Sequence, residues 1–259
     1  MLNNQDSKND LLQRQNAEAI FHAQKYAEQE HFPYHYSVNP TYPVYQKMLS
    51  MLGDLSGKCV LEYGCGEGWV TSDLARAGGY ISAFDISEEA VKKTSELIQS
   101  IGFSDQCRIS QMGGEQLNYP DGFFDIAVGF AIIHHLDLNL AIPELYRVLK
   151  PGGIAYFAEP LGGNPVINLY RKLTPQYRTQ DEEPIDLDKL SSLLYQFKNY
   201  EHQAYYLTAL ASVAIAYLPF GKKMFPFINR GLMRVDEQLL YQFPKLGRLA
   251  WYAIIKITK

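Results

Sequence analysis

The segment Val60-Leu61-Glu62-Tyr63-Gly64-Cys65-Gly66-Glu67-Gly68 joins a short apolar run to a loop with glycine at alternate positions. Glycines directly after a strand let the backbone turn sharply and let a ligand approach without meeting a Cβ. Several classes of nucleotide-binding protein share such a loop, so its neighbours must narrow the reading. A dinucleotide fingerprint needs glycine at 64, 66 and 69, but position 69 is Trp. A phosphate-binding P-loop needs Gly-Lys followed by Ser or Thr, whereas Gly57-Lys58 is followed by Cys59 and precedes the strand. Glu62 is ill placed beside a pyrophosphate and well placed beside a cationic amino acid moiety. Asp85 lies 23 residues further on, where it can accept hydrogen bonds from ribose hydroxyls. The ligand implied is a nucleoside with a positively charged tail and no phosphate.

Working outward, strand and helix patterns alternate from Cys59 to Phe157. Strands are expected at Cys59–Tyr63, Tyr80–Phe84, Cys107–Gln111, Phe124–Phe130 and Ile154–Glu159. The almost wholly apolar fourth reads as a strand covered on both faces. Helices are expected at Trp69–Ala77, closed by Gly78-Gly79, and from the N-cap Ser87 to about Ser100. Another is expected at Leu138–Leu149, stopped by Lys150-Pro151-Gly152-Gly153. This succession implies an α/β fold with a doubly wound parallel sheet. Upstream, Asn9–Glu30 and Val44–Leu52 read as helices flanking an ordered aromatic loop over His31–Pro43, giving an N-terminal segment 1–52 ahead of a domain at 53–259. Downstream, Gly162–Glu183 looks irregular and Asp186–Tyr195 helical. His202–Leu207 and Trp251–Ile257 are the candidates for two closing strands.

A chain of 259 residues can bury a full core as one domain with an elaboration. Its 47% hydrophobic and 20% charged residues fit a globular protein, and a formal charge of −4 gives no general reason to expect nucleic-acid binding. Cys59, Cys65 and Cys107 are too few and too oddly counted for a disulfide framework, which points to a reducing, cytoplasmic setting. Met1–Asp10 is polar and does not read as a signal peptide. The longest uncharged apolar run, Leu207–Phe220, has 14 residues and is too short to span a membrane.

The stretch from about Gly57 to Pro160 resembles the class I S-adenosylmethionine-dependent methyltransferases, in the broad group acting on small molecules. The resemblance rests on the opening segment, Phe84-Asp85-Ile86-Ser87, Gly113-Gly114-Glu115-Gln116-Leu117, Phe123-Phe124-Asp125 and Leu149-Lys150-Pro151-Gly152-Gly153, in that order. It implies a Rossmann-like, mostly parallel seven-stranded sheet of order 3-2-1-4-5-7-6, with strand 7 antiparallel and a helical insertion between the last two strands. It also implies S-adenosylmethionine as cofactor and S-adenosylhomocysteine as product. Carried over by position, Glu62, Gly64, Cys65 and Gly66 would face the methionine part and Asp85 the ribose. Ile86 would pack on the adenine, Gly114 and Glu115 would flank its edge, and Phe130 would line the floor. Where the family commonly has Asp before an Ala-Glu pair, this chain has Gly113-Gly114, so backbone groups or Glu115 would have to replace the usual contact to the adenine amino group.

Methyl transfer from a sulfonium is an in-line displacement that needs alignment, and a base where the acceptor must lose a proton. His134 and His135 lie just beyond strand four, His134 being the preferred base; the alternative is a structural pair at a strand-to-helix corner. Glu159, at the end of strand five, either serves catalysis or orders the following loop. A metal site is not expected, since adjacent histidines diverge and no carboxylate–histidine pair shows helical ligand spacing. Tyr34, His35, Tyr36 and Tyr42 read as a lid over the cofactor mouth, and Tyr170, Arg171 and Arg178 as candidates for the acceptor pocket.

The apolar stretch 208–250 carries Lys222, Lys223, Arg230, Arg234, Lys245 and Arg248 against Asp236 and Glu237. It reads as a cap over an apolar acceptor in preference to a peripheral membrane surface, with a larger core or an oligomer contact as the plainer alternative. The function expected is methylation of a small apolar or aromatic acceptor, on oxygen before carbon or nitrogen. The other readings are a lipid-soluble or macromolecular acceptor, and a non-catalytic cofactor-binding partner.

Overall fold

The computed structural model describes residues 4–28, 41–179, 182–216 and 218–259. Seven strands form one sheet: β1 (Cys59–Tyr63), β2 (Tyr80–Asp85), β3 (Cys107–Gln111), β4 (Phe124–Phe130), β5 (Leu149–Pro160), β6 (Asn199–Tyr205) and β7 (Tyr252–Thr258). Their order is β3-β2-β1-β4-β5-β7-β6. β1 pairs in parallel with β2 and β4, β2 with β3, and β4 with β5, while β7 runs antiparallel to β5 and β6. This is the expected sheet, and the strand order reverses between β1 and β4.

The apolar strands are explained by burial on both faces, since successive side chains point to opposite sides. Val60, Ile126, Val128 and Ala158 pack on one face with α2 (Tyr42–Leu52) and α3 (Trp69–Arg76). Leu61, Ala127, Phe157 and Ile255 pack on the other with α5 (Leu138–Val148) and α7 (Leu187–Leu193). Asp125 clasps the lower ends of three strands, accepting from Cys59 N at 2.9 Å and Lys150 Nζ at 2.7 Å. Ser87 caps α4 (Glu88–Ser100) by accepting from Ala90 N, with Glu88 and Glu89 in the first turn.

Several boundaries differ from expectation. The region expected to be irregular holds α6 (Pro165–Leu173), started by Asn164 accepting from Val166 N and Ile167 N and by proline at its first position. None of its residues is buried, so the apolar pattern of a core helix is weak there. β5 begins at Leu149, pairs with Phe124, and shifts register before Ile154; its glycines lie in a strand irregularity. β6 ends at Tyr205 because Tyr206 turns to φ 65° and buries its ring. The helix α1 covers Asn4–Glu28, starting earlier than expected. Of the aromatic loop, positions up to 40 lie outside the described residues, including Tyr34, His35 and Tyr36.

The stretch 208–250 forms α8 (Leu210–Ala216), α9 (Gly221–Gln242) and a short 3-10 helix at Pro244–Leu249. Buried Asp236 of α9 accepts from Leu207 N at 2.9 Å, Thr208 N at 2.7 Å, Thr208 Oγ1 at 2.6 Å and Ala209 N at 3.1 Å. These bonds pin α9 to the end of β6, four strands from β1. Replacing Asp236 by Ala leaves buried backbone donors without partners, which should cost about 3 kcal/mol. Urea denaturation of the two proteins measures it, and an unchanged midpoint would mean that these bonds do not hold the insertion.

Candidate active site

The reversal of strand order opens a crevice beyond the C-terminal ends of β1 and β4, where parallel sheets bind ligands. The loop after β1 enters it at Gly64, with φ 68°. A Cβ there would lie 2.8 Å from Ile132 Cδ1, so glycine is required both by the backbone turn and by the close approach of the loop after β4. That second loop turns at Ala131 with φ 54°, a strained position for a residue with a side chain. Gly66 N donates to Asp85 Oδ2 at 3.0 Å, and Thr94 Oγ1 to Gly66 O at 2.9 Å, so β2 and α4 hold the glycine loop in place.

A cavity of about 110 Å³ lies in the crevice, lined by Gly64, Asp85, Ile86, Gly114, Glu115 and Phe130 among others. Six expected cofactor residues are thus brought together. Its loop wall is anchored by Arg147, which donates to Leu117 O at 2.8 Å and Tyr119 O at 2.6 Å. Glu62, Cys65 and Gly66 do not line the cavity. Glu62 is wholly buried beside Thr71, and neither carboxylate oxygen has a hydrogen bond of ordinary geometry. Burial, reinforced by the charge of Asp85, pushes its pKa up to about 8. Burial also raises the Cys65 thiol, which fits a small filler and not a reactive group. Asp85 accepts from Ser87 N at 2.9 Å as well as from Gly66 N, and burial raises its carboxyl too.

The catalytic candidates separate. His134 is buried, gives its Nδ1 to Glu159 Oε2 at 2.7 Å and does not line the cavity. Glu159, wholly buried, also accepts from Ile132 N at 2.9 Å and Ile133 N at 3.0 Å. Burial raises the Glu159 carboxyl and lowers the His134 imidazole. The pair therefore orders the 3-10 turn Ile133–His135; His134 turns its Nδ1 to Glu159 and lies outside the cavity lining, so the geometry lends its expected role as a base no support. Among the three candidates His135 alone lines the cavity.

The largest surprise is α1. Arg14, Gln15, Glu18 and His22 line the cavity opposite the glycine loop. Gln15 Nε2 donates to Glu115 Oε2 at 2.9 Å, and Arg14 donates to His135 O at 2.9 Å. A Cβ on Gly113 would lie 2.5 Å from Gln15 Nε2, so the departure at Gly113-Gly114 makes room for an amide arriving from α1. Glu115 is buried between that amide and Asp137 N, hence not a solvated loop charge. Glu18 and His22, four residues apart on α1, also correct the statement that no carboxylate–histidine pair has helical ligand spacing. Tyr42 packs near Tyr45 and lines a separate cavity with Tyr205, Tyr206 and Phe225, not the cofactor mouth. Tyr170, Arg171 and Arg178 lie outside the lining, as do the described residues of 208–250. That stretch is anchored at the sheet edge, away from the cavity.

A family profile described as "Methyltransferase domain" matches residues 61–157. The ubiquinone/menaquinone biosynthesis C-methyltransferase UbiE of Pectobacterium carotovorum is 34% identical over 109 residues, covering 39% of this chain and 43% of that protein. Sterol 4-C-methyltransferase strm-1 of Caenorhabditis elegans is 31% identical over 94 residues, 36% and 28% of the two chains. Residues 61–157 are thus similar to the class I, S-adenosylmethionine-dependent methyltransferases. The chain spans less than half the length of these curated relatives. Among solved structures, a putative sarcosine dimethylglycine methyltransferase from Galdieria sulphuraria matches at TM-score 0.56 and 17% identity, over 84% of each chain. Geranyl diphosphate C-methyltransferase from Streptomyces coelicolor, solved with S-adenosyl-L-homocysteine, matches at TM-score 0.57 and 14% identity over 83% of this chain and 78% of that one. These two likenesses bear on the fold.

Glu62 gives a pH test of the site. Its folded pKa is raised, so the stability it permits is present below the ordinary carboxyl value and is lost as pH rises through about 8. Ligand-free protein should therefore lose stability to urea from about pH 5 up to about pH 8 and level off above it, and Glu62→Gln should remove much of that fall. An identical pH profile in the variant would mean that Glu62 is not held neutral by burial. Separately, Gly113→Ala should displace the Gln15 amide and speed hydrogen exchange in α1 without unfolding the sheet. Unchanged exchange would mean that this contact does not fasten the helix.

Proposed function

We propose that the chain transfers the methyl group of S-adenosylmethionine to a carbon of a small apolar acceptor. The observation that carries the cofactor half is the buried, uncompensated Glu62 carboxylate at the root of the Gly64 turn, a place suited to an ammonium group. Gly64, Cys65 and Gly66 would hold the methionine part alongside it. Asp85 would take the ribose hydroxyls, Ile86 the adenine face, and Gly114 with Glu115 its edge. Phe130 would floor the cavity. Carbon is preferred to the oxygen expected from sequence because both curated relatives described above are C-methyltransferases, one of a quinone pathway and one of sterols.

The residues present fit this ligand in donor chemistry, while the volume does not yet suffice. About 110 Å³ is less than the roughly 300 Å³ of small ligand pockets. The missing space is taken by α1 side chains, so binding requires α1 to move outward from Glu115. S-adenosylmethionine supplies an electrophilic methyl group on a sulfonium. The chain's own part is alignment, exclusion of water and placement of carboxylates around the positive charge. His134 and Glu159 act as positioning residues through the Ile133–His135 turn.

Calorimetry with S-adenosylmethionine and S-adenosylhomocysteine tests the cofactor reading, and Asp85→Ala should weaken both by roughly tenfold or more, a loss of about 1.4 kcal/mol upward. No binding to folded wild type would end it. Tritiated methyl transfer into a cell extract tests the acceptor class: label in organic-soluble, carbon-linked product is expected. Label in protein, RNA or base-labile esters would overturn the acceptor half alone.

A further inference from the structure

We propose that Glu18, His22 and His135 form a binding site for one divalent transition-metal ion at the seam between α1 and the Ile133–His135 turn. Helical i,i+4 spacing puts Glu18 and His22 on one face of α1, and that face meets His135. One donor atom from each of the three residues lies within 4.8 Å of the others. Glu18 Oε2 is 3.2 Å from His135 Nδ1 and 3.4 Å from His22 Nε2. Metal bonds to imidazole nitrogen and carboxylate oxygen are about 2.0–2.2 Å, which sets neighbouring donors about 3.0–3.4 Å apart. The two Glu18–histidine separations already match that spacing, and the histidine donors lie within 4.8 Å of each other.

Two further observations favour ligation over a plain ion pair. Glu18 Oε2 is buried between the two imidazoles yet makes no hydrogen bond of ordinary geometry. The other oxygen, Oε1, accepts from Thr179 Oγ1 and lies 3.3 Å from His135 Nδ1; the threonine fixes the carboxylate plane as outer partners do in metal sites, and an ion would take over the histidine's contact. The two rings cross at 82° with centroids 5.3 Å apart, so their nitrogens approach from different directions. A second grouping, His134, His135 and Glu182, shares His135, but His134 Nδ1 is already bound to Glu159.

Two imidazoles and one carboxylate suit Zn(II), Mn(II), Fe(II) or Co(II). Because all three residues line the cavity, an ion held by them has its remaining coordination positions toward it. It would also cross-link α1 to the turn and hold the helix over Glu115, opposing the outward movement of α1 that cofactor binding calls for. The inference stands on this cluster and not on the methyl-transfer reading.

The test uses the whole protein, stripped by chelation and dialysed against Co(II) or Zn(II). One bound equivalent is expected, with visible Co(II) absorption. Glu18→Gln and His22→Asn, each checked for folding by circular dichroism, should lower affinity by more than the roughly tenfold to hundredfold lost with a supporting partner. No bound equivalent, or unchanged affinity in folded variants, overturns the site. Should the variants fail to fold, X-ray absorption of the wild-type zinc complex decides. A nitrogen and oxygen shell with imidazole scattering is expected, and sulfur scattering from a cysteine site overturns the proposal. Calorimetry of S-adenosylmethionine in chelator is scored separately, so loss of one reading leaves the other legible.

Discussion

Where β1 and β4 end side by side, Gly64 turns with a positive φ and Ile132 packs where its side chain would be. Two loops leaving adjacent parallel strands must diverge or collide. Here they do neither, because one has no Cβ and the other turns sharply at Ala131. Everything around the cavity is arranged about that contact. Glu159 holds the second loop from below through Ile132 N and Ile133 N, and Asp85 holds the first through Gly66 N. A carboxylate from the end of a neighbouring strand thus fixes each loop. The histidine pair belongs to this scaffold: His134 is turned inward to Glu159, which leaves His135 turned outward to α1.

The parts legible in sequence were those whose chemistry is local. Strand β4 is apolar but for Asp125 because both faces are covered, and Gly64 announces a turn whatever lies opposite it. Asn164-Pro165 was equally local, a cap followed by proline, but no buried stripe accompanied it, and the helix it starts was read as irregular. The Gly113-Gly114 departure was visible as an absence. Its cause was not, because the amide that fills the space comes from Gln15, and the residue it binds is 100 positions away. The same distance hid the cluster around Glu18: its helical spacing to His22 could be read directly, but His135 lies 117 positions further on and Thr179 161. An amphipathic pattern shows that a helix packs and does not show upon what.

The long apolar stretch 208–250 illustrates the converse limit of composition. Its composition resembles that of a cap, yet composition carries no address. The address is given by Asp236, whose charge is buried only because four donors at the end of β6 meet it. A buried carboxylate so satisfied is a strong geometric constraint, and it commits α9 to the sheet edge. Exposed apolar side chains remain on α9, among them Met224, Phe227 and Tyr241, so the insertion keeps an apolar outer surface while its described residues lie outside the cavity wall.

The buried carboxylates at the site differ in how their charge is met, and that difference bears on the ligand. Glu159 has two backbone donors and an imidazole. Asp85 has Gly66 N and Ser87 N, Glu115 has Gln15 and Asp137 N, and Glu18 has Thr179 and two histidines. Of these five acids, only Glu62 lacks a hydrogen-bonding partner of ordinary geometry for both oxygens. A buried carboxylate in that state stays protonated, which is why its pKa rises to about 8. The loop can therefore fold around a neutral Glu62 near neutral pH without a cofactor. An arriving ammonium group reverses the balance, since the ionised form then gains a partner in a medium of low dielectric. On the proposed reading the proton would leave as the cation enters, and the energy that burial withheld from the empty site would become selectivity for a positively charged tail over the phosphate of an ordinary nucleotide.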